Sequence, residues 1–463
     1  MPTTQLSPYL DGNFAPVHRE ITSDTLEIIG ELPSSLSGIF LRNGPNPQFP
    51  PIGQYHWFDG DGMIHGVRIH NGQAEFQNRY IRTKGWQIEH EAGKAIWSGL
   101  LEPPQMDNPY GPTKNTANTA LVWHAGTMLA TWEGGAPYAI DIQTLDTFGE
   151  YTYDGKLASS FTAHPKIDPI TGEMMFFGYS FAPPYLQYGM VSSKGELLRT
   201  VPIELPEAVM MHDFAITENY TIFMDLPLTF SQSRMQRGEP PLMFESNRPS
   251  RFGIVTRHGD NSNIRWFETS ACYVFHTLNA YESEDEVVLI ACRMDSTNVL
   301  MPQDSASALS NSIPRLHQWR FNLNTGTTSE TMLDDVATDF PRVNENFLGR
   351  QTRYGYAGRM TQGSMPLFDG IVKYDLKSKK SQTHELGAGR YGGEAVFAPR
   401  RGGKDEDDGW LITFVRDRTS ETSELVVINA QDVTSEPVAR VLIPQRVPYG
   451  FHGAWISEAQ LNV

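Results

Sequence analysis

Residues 159–180 read SSFTAHPKIDPITGEMMFFGYS, and they hold the pattern on which the fold turns. One histidine, His164, stands just ahead of a turn, Asp168-Pro169-Ile170-Thr171-Gly172, that leads into the apolar run MMFFGY. Asp, Pro and Gly at these offsets are turn formers, and the run after them suits a buried strand. A single histidine in such a place is ordinarily structural. Here the pattern recurs. His212 precedes Asp213-Phe214 and a strand-like run at 221–224, His276 precedes another at 287–291, and His452 lies in Tyr449-Gly-Phe-His-Gly-Ala-Trp455. Four histidines at the heads of similar β units can converge only if those units are arranged around an axis.

Seven hairpins support that arrangement. They are read at 63–82 (turn Asn71-Gly72), 138–153 (near Gln143), 188–203 (Lys194-Gly195) and 252–267 (Gly259-Asp260), then at 318–333 (Asn324-Thr325-Gly326), 371–386 (Lys377) and 425–442 (Gln431). Seven outer hairpins with the histidine-led segments as inner strands predict an all-β, seven-bladed propeller. Residues 1–36, interrupted by Pro8, Pro16 and Pro33, are expected to form an irregular lead-in packed on the propeller. Residues 37–463 are expected to form a single domain, because no linker-like change of composition divides them.

The bulk composition narrows the function. A net charge of −17 argues against a nucleic-acid partner, since a phosphate-binding face needs clustered Lys and Arg. The 2 cysteines, Cys272 and Cys292, are expected to be free thiols of a reducing compartment. The N-terminus lacks a basic region followed by an apolar core, and no run reaches the length of a membrane span. Together these predict a cytoplasmic protein. Apolar residues in 100–106 and 226–249, the latter with Arg234 and Arg237, are read as an apolar lip for peripheral membrane contact, with loops packing on each other as the alternative. No obligate protein partner is implied.

Four neutral imidazoles suit Fe(II), Cu, Ni or Zn, and spacing does not choose among them. With no carboxylate ligand the metal keeps its full charge, so carboxylates accepting the outer ring N–H groups are expected. Glu133 in TWEGG, Glu394 in YGGEAVF and Asp339 before FPRVN are the candidates. His56 and His65 flank WFDGDG, whose spacing is not that of a calcium loop, and are assigned to structure. GxSxG, P-loop and Rossmann signatures are missing, which leaves hydrolase, kinase and dehydrogenase readings without an anchor.

FLRNGPNP (40–47), HWFDGDGM (56–63), AHP (163–165), MHDF (211–214), DFPRVN (339–344), GEAVF (393–397), DDGWL (407–411) and FHG (451–453) closely resemble, in order, the motifs of the carotenoid cleavage oxygenase family. The resemblance runs from about residue 38 to the C-terminus. It implies a seven-bladed propeller with long loops and short helices capping the iron-bearing face. It also implies one Fe(2+) per chain held by His164, His212, His276 and His452, with Glu133, Asp339 and Glu394 behind them. The family usually carries Glu where this chain has Asp339, which opens the question of whether the shorter side chain reaches a histidine. Thr119 matches the family position beside the vacant metal site, and Trp132, Phe275 and Phe340 match positions lining the substrate tunnel. No catalytic residue beyond the iron ligands is implied.

The implied activity is oxidative cleavage of a conjugated C=C bond of a carotenoid or apocarotenoid by O2, giving two carbonyl products. Stilbene cleavers of the family resemble one another in a Lys at the position of Trp132, which favours a hydrophobic polyene substrate here. A stilbene-cleaving dioxygenase of the same family and a non-catalytic propeller that binds a partner are the alternatives.

Overall fold

Asn71 and Gly72 both adopt left-handed backbone (φ 50° and 74°), the geometry a two-residue hairpin turn requires. They join Met63–His70 to Gln73–Tyr80 in an antiparallel pair, and Ala74, Phe76, Asn78 and Tyr80 alternate inward along the second strand. The computed structural model describes residues 7–297, 312–361, 363 and 365–462. Among them the other six expected hairpins are also antiparallel pairs. Five of the seven form the final two strands of a larger set, with the remaining strands paired ahead of them; at 63–82 and 425–442 a short strand of the lead-in pairs outside the hairpin.

One strand departs from the expected pattern. Thr328–Arg342 does not end near residue 333. Its first part pairs with Arg315–Asn322, and its last part, from Thr338, pairs with Tyr354–Met360. Two sets therefore share one 15-residue strand and join into a seven-stranded sheet.

The chain divides into two compact units. The described residues of Met1–Asp154, Leu386–Gly403 and Gly409–Val463 form one; Gly155–Glu385 and Lys404–Asp408 form the other. In the first, both ends of the chain enter the same sheets. Gly453–Ser457 pairs with Gly38–Arg42, and Ile28–Gly30 pairs with Ala439–Ile443. The lead-in thus adds short edge strands, Thr22–Ser23 and Ile28–Gly30, to an otherwise irregular path. Edge pairing satisfies backbone groups that would otherwise stay open.

Within the second unit, Glu286–Met294 explains how the sheets stack. Val287, Leu289 and Ala291 enter a core with Phe252, Trp319 and Phe321, whereas Val288, Ile290 and Cys292 enter another with Leu316, Val372 and Tyr374. The run VVLIAC is continuous because both faces of this strand are covered. Ile39 and Leu41 against Phe40 repeat the arrangement in the first unit.

Helix is scarce. Lys84–Ala92 is the longest among the described residues, capped by Thr83 and ended by Gly93 in left-handed backbone (φ 67°). No described helix is long and apolar enough to cross a membrane.

Candidate metal centre

The first strand of each of three sets in the second unit carries one histidine or follows it. His164 comes two residues before Lys166–Ile167, its N–H donating to Thr162 Oγ1 at 3.0 Å. His212 comes three residues before Ala215–Ile216. His276 lies inside Tyr273–Ser283 at a break in its register. Val274 faces Arg293 and Thr277 faces Ala291, so Phe275 and His276 together oppose Cys292. This extra residue bends the strand and re-aims the imidazole.

The rings meet through Nε2. His164 and His212 approach to 3.0 Å, and His212 and His276 to 3.3 Å. His276 Nδ1–H donates to Asp339 Oδ1 at 2.8 Å, which leaves its Nε2 lone pair facing the other rings. The shorter Asp339 therefore reaches its histidine directly. Asp339 also accepts the Phe340 N–H at 2.8 Å, where Phe340 holds a left-handed backbone (φ 54°).

His452, in the first unit, directly precedes Gly453–Ser457. Glu394 holds it twice: Nδ1–H donates to Oε1 at 3.0 Å, and the Gly453 N–H donates to Oε2 at 2.7 Å. The His452 N–H donates to the Thr119 carbonyl at 3.2 Å, so Thr119 lies beside it. Glu133 is half-buried in the turn after Thr127–Thr131. The indole of Trp132 folds over Gly134, where a Cβ would come within 2.3 Å of it.

Within the second unit the ring nitrogens of His164, His212 and His276 all lie within 4.8 Å of one another, with no carboxylate in the group. Their separations suit a shared cation. Two nitrogens each about 2.1 Å from one metal, subtending about a right angle, stand about 3.0 Å apart. Lone pairs facing each other at that distance repel unless a cation or proton lies between them. Carboxylates at Nδ1 of His276 and His452 select the tautomer a metal needs and offset its charge.

Aromatic rings flank this group. Phe275 stands edge-on to His212 with centroids 5.3 Å apart, and Phe340 edge-on to His276 at 5.1 Å. His56 has a structural task, accepting the Phe58 N–H at the head of Trp57–Asp59. Cys272 and Cys292 are free and buried, and burial pushes the Cys272 thiol up to about 11. A thiol held protonated in this way is a poor nucleophile.

The structure adds three residues that the sequence does not single out: Lys166, Asp213 and Thr277. Asp213 accepts from Lys166 Nζ at 2.7 Å and from the N–H and Oγ1–H of Thr277, each at 2.8 Å. Each stands within two positions of a histidine in the cluster, the one signal by which the sequence could have flagged it.

The model of the family described as "Retinal pigment epithelial membrane protein" matches residues 14–457. A "Carotenoid 9,10(9',10')-cleavage dioxygenase 1" of Pisum sativum is 44% identical over 98% of this chain and 91% of that protein. A "Carotenoid cleavage oxygenase" of Mycobacterium tuberculosis is 34% identical, covering 97% of each. Among solved structures, the lignostilbene dioxygenase of Pseudomonas brassicacearum superposes with a TM-score of 0.91 at 32% identity, covering 98% of this chain and 100% of that one. Cobalt-substituted Synechocystis apocarotenoid oxygenase gives 0.86 at 28% identity, covering 96% and 97%. The all-β propeller fold expected from the hairpins is the fold of these structures.

Proposed function

We propose a function from one premise: this chain belongs to the carotenoid cleavage oxygenase family, which the retinal pigment epithelial membrane protein model describes. It is a dioxygenase that splits a conjugated C=C bond of a carotenoid or apocarotenoid with O2, leaving a carbonyl on each fragment. The observation that carries this reading is the group formed by the imidazoles of His164, His212 and His276 without a carboxylate ligand, in a chain 44% identical to a carotenoid cleavage dioxygenase.

His164, His212, His276 and His452 would hold one Fe(II), and Glu133, Asp339 and Glu394 would steady the rings from outside. A bound Fe(II) supplies binding and activation of O2 next to the alkene. The chain's own part is placement. Phe275 and Phe340 stand edge-on to two of the histidines, and they would offer apolar walls against which a rigid polyene keeps one double bond in register; Trp132 would be a further wall. Thr119, whose carbonyl accepts the His452 N–H, would lie beside the open metal position. Overall, the two carbon–carbon bonds of the alkene become two C=O bonds and both atoms of O2 are consumed. No protein acid or base is needed.

A stilbene substrate is the second reading, favoured by the 0.91 superposition on the lignostilbene dioxygenase. Trp132 weighs against it, because an indole offers a phenolate no positive charge where the stilbene cleavers place Lys. The deciding experiment is anaerobic Fe(II) reconstitution followed by aerobic assay on β-carotene, a β-apo-carotenal and a hydroxystilbene, with products identified by mass. Cleavage of a polyene alone is expected. Cleavage of the stilbene alone would overturn the substrate assignment, and inertness toward all three with iron bound would overturn the activity.

A polyene resides in lipid, and two segments fit contact with a membrane surface. Leu100 and Met106 are 51% and 78% exposed, and Met235 and Met243 also project from the surface. Arg234 does not contribute a free charge there, since it is buried against Glu245 at 2.7 Å. Met106→Ser should lower co-sedimentation with phosphatidylcholine vesicles, and unchanged binding would remove that contact from the proposal.

A further inference from the structure

Three of the four histidines are followed, within two positions, by the members of one buried polar cluster. Lys166 follows His164, Asp213 follows His212, and Thr277 follows His276. The Asp213 carboxylate is saturated: Oδ1 takes Lys166 Nζ and the Phe214 N–H, each at 2.7 Å, and Oδ2 takes the N–H and Oγ1–H of Thr277, each at 2.8 Å. Its side chain is 2% exposed and that of Lys166 14%.

One feature gives this cluster a task. The bulge at His276 leaves the N–H of Thr277 in need of an acceptor, because a buried amide without one is costly. Asp213 is that acceptor, and it belongs to the segment carrying His212.

We propose that Lys166, Asp213 and Thr277 are positioning residues that lock the backbones under His164, His212 and His276 into one arrangement, so that the three Nε2 atoms are preset for a metal ion. A buried ion pair contributes little net stability compared with an apolar set of the same shape. What this one supplies is geometry. Its hydrogen bonds tie together segments 47 and 64 residues apart along the chain, between Lys166 and Asp213 and between Asp213 and Thr277. The inference rests on the metal reading above.

The test uses the full-length protein prepared without metal and titrated with Co(II), following its visible absorption, with the melting temperature of the metal-free protein measured alongside. The variants are Asp213→Asn, the double variant Asp213→Asn/Lys166→Met, which leaves no unpaired charge, and Thr277→Val. For the first two, the Co(II) dissociation constant should rise about tenfold to hundredfold and the absorption bands should shift. Thr277→Val should give a smaller rise, and Lys166→Arg, which keeps the charge, should stay near the parent. A merely structural cluster would lower the melting temperature while leaving the dissociation constant and spectrum unchanged, and that result would overturn the proposal. If the single Asp213 variant does not fold, the double variant and Thr277→Val decide. A parent protein that takes up no Co(II) would instead overturn the metal reading itself.

Discussion

At the scale of single residues, Asp339 is the most informative position. Its contact to His276 is already at hydrogen-bond length, 2.8 Å, although it is one methylene shorter than Glu. The strand shifts register between Asp339 and Arg342, and Phe340 takes left-handed backbone, a conformation that costs a bulky residue of order 1–3 kcal/mol. Side-chain reach is thus set by the backbone under it, which the sequence does not display. Asp339→Ala should weaken metal binding by about tenfold to hundredfold. Asp339→Glu should weaken it as well, because the added methylene has to push His276 out of place. Metal content after dialysis at fixed free Fe(II) or Co(II) checks both, and parent-like occupancy in the Glu variant would contradict the steric argument.

Among the elements, the turn that follows His164 combines local chemistry with distant charge. Asp168 Oδ1 accepts the N–H groups of Ile170 and Thr171 at 2.8 and 2.9 Å, a turn legible from Asp-Pro-Ile-Thr-Gly. Its Oδ2 is met by Arg257 at 2.5 Å and Arg350 at 2.6 Å, partners that no local reading supplies. Burial alone would raise its pKa. Arg350, the two turn N–H groups and Arg257 outweigh that and hold the carboxyl well below the usual carboxylate range. A depressed carboxylate pKa stabilises the fold above the unfolded value of about 3.9 and loses that contribution as pH falls toward the folded value. Arg350→Gln should therefore cost about 1.5–3 kcal/mol near neutral pH and narrow the difference from the parent below about pH 4. Urea unfolding at several pH values measures it, and a difference independent of pH would contradict the assignment.

For the whole molecule, the proposed metal site predicts a separation between folding and metal binding. The sheets are held by apolar cores on both faces of strands such as Glu286–Met294. His212→Ala or His276→Ala should therefore abolish metal uptake and activity together while leaving the β-sheet circular dichroism unchanged. Metal at 100 times its dissociation constant should stabilise the parent by about 2.7 kcal/mol, and chelation should remove that increment. Neither histidine variant should show it. A variant that lost metal yet kept full turnover would overturn the proposed function.

The sequence by itself determined the elements and the ligand candidates. Asn-Gly and related turns mark the hairpins, alternating or continuous apolar runs mark strands buried on one face or both, and four histidines stand at the heads of inner strands. These signals are local, so a single stretch of chain carries them. Only the tertiary structure decided that three Nε2 atoms meet at 3.0 and 3.3 Å, that Asp339 reaches His276, and that Asp213 binds Lys166 and Thr277. It also decided that Thr328–Arg342 serves two sets of strands. The physical reason is the same in each case. The partners lie tens of residues apart, and bulges set which way each side chain points, so the contact exists only once the sheets have formed and stacked.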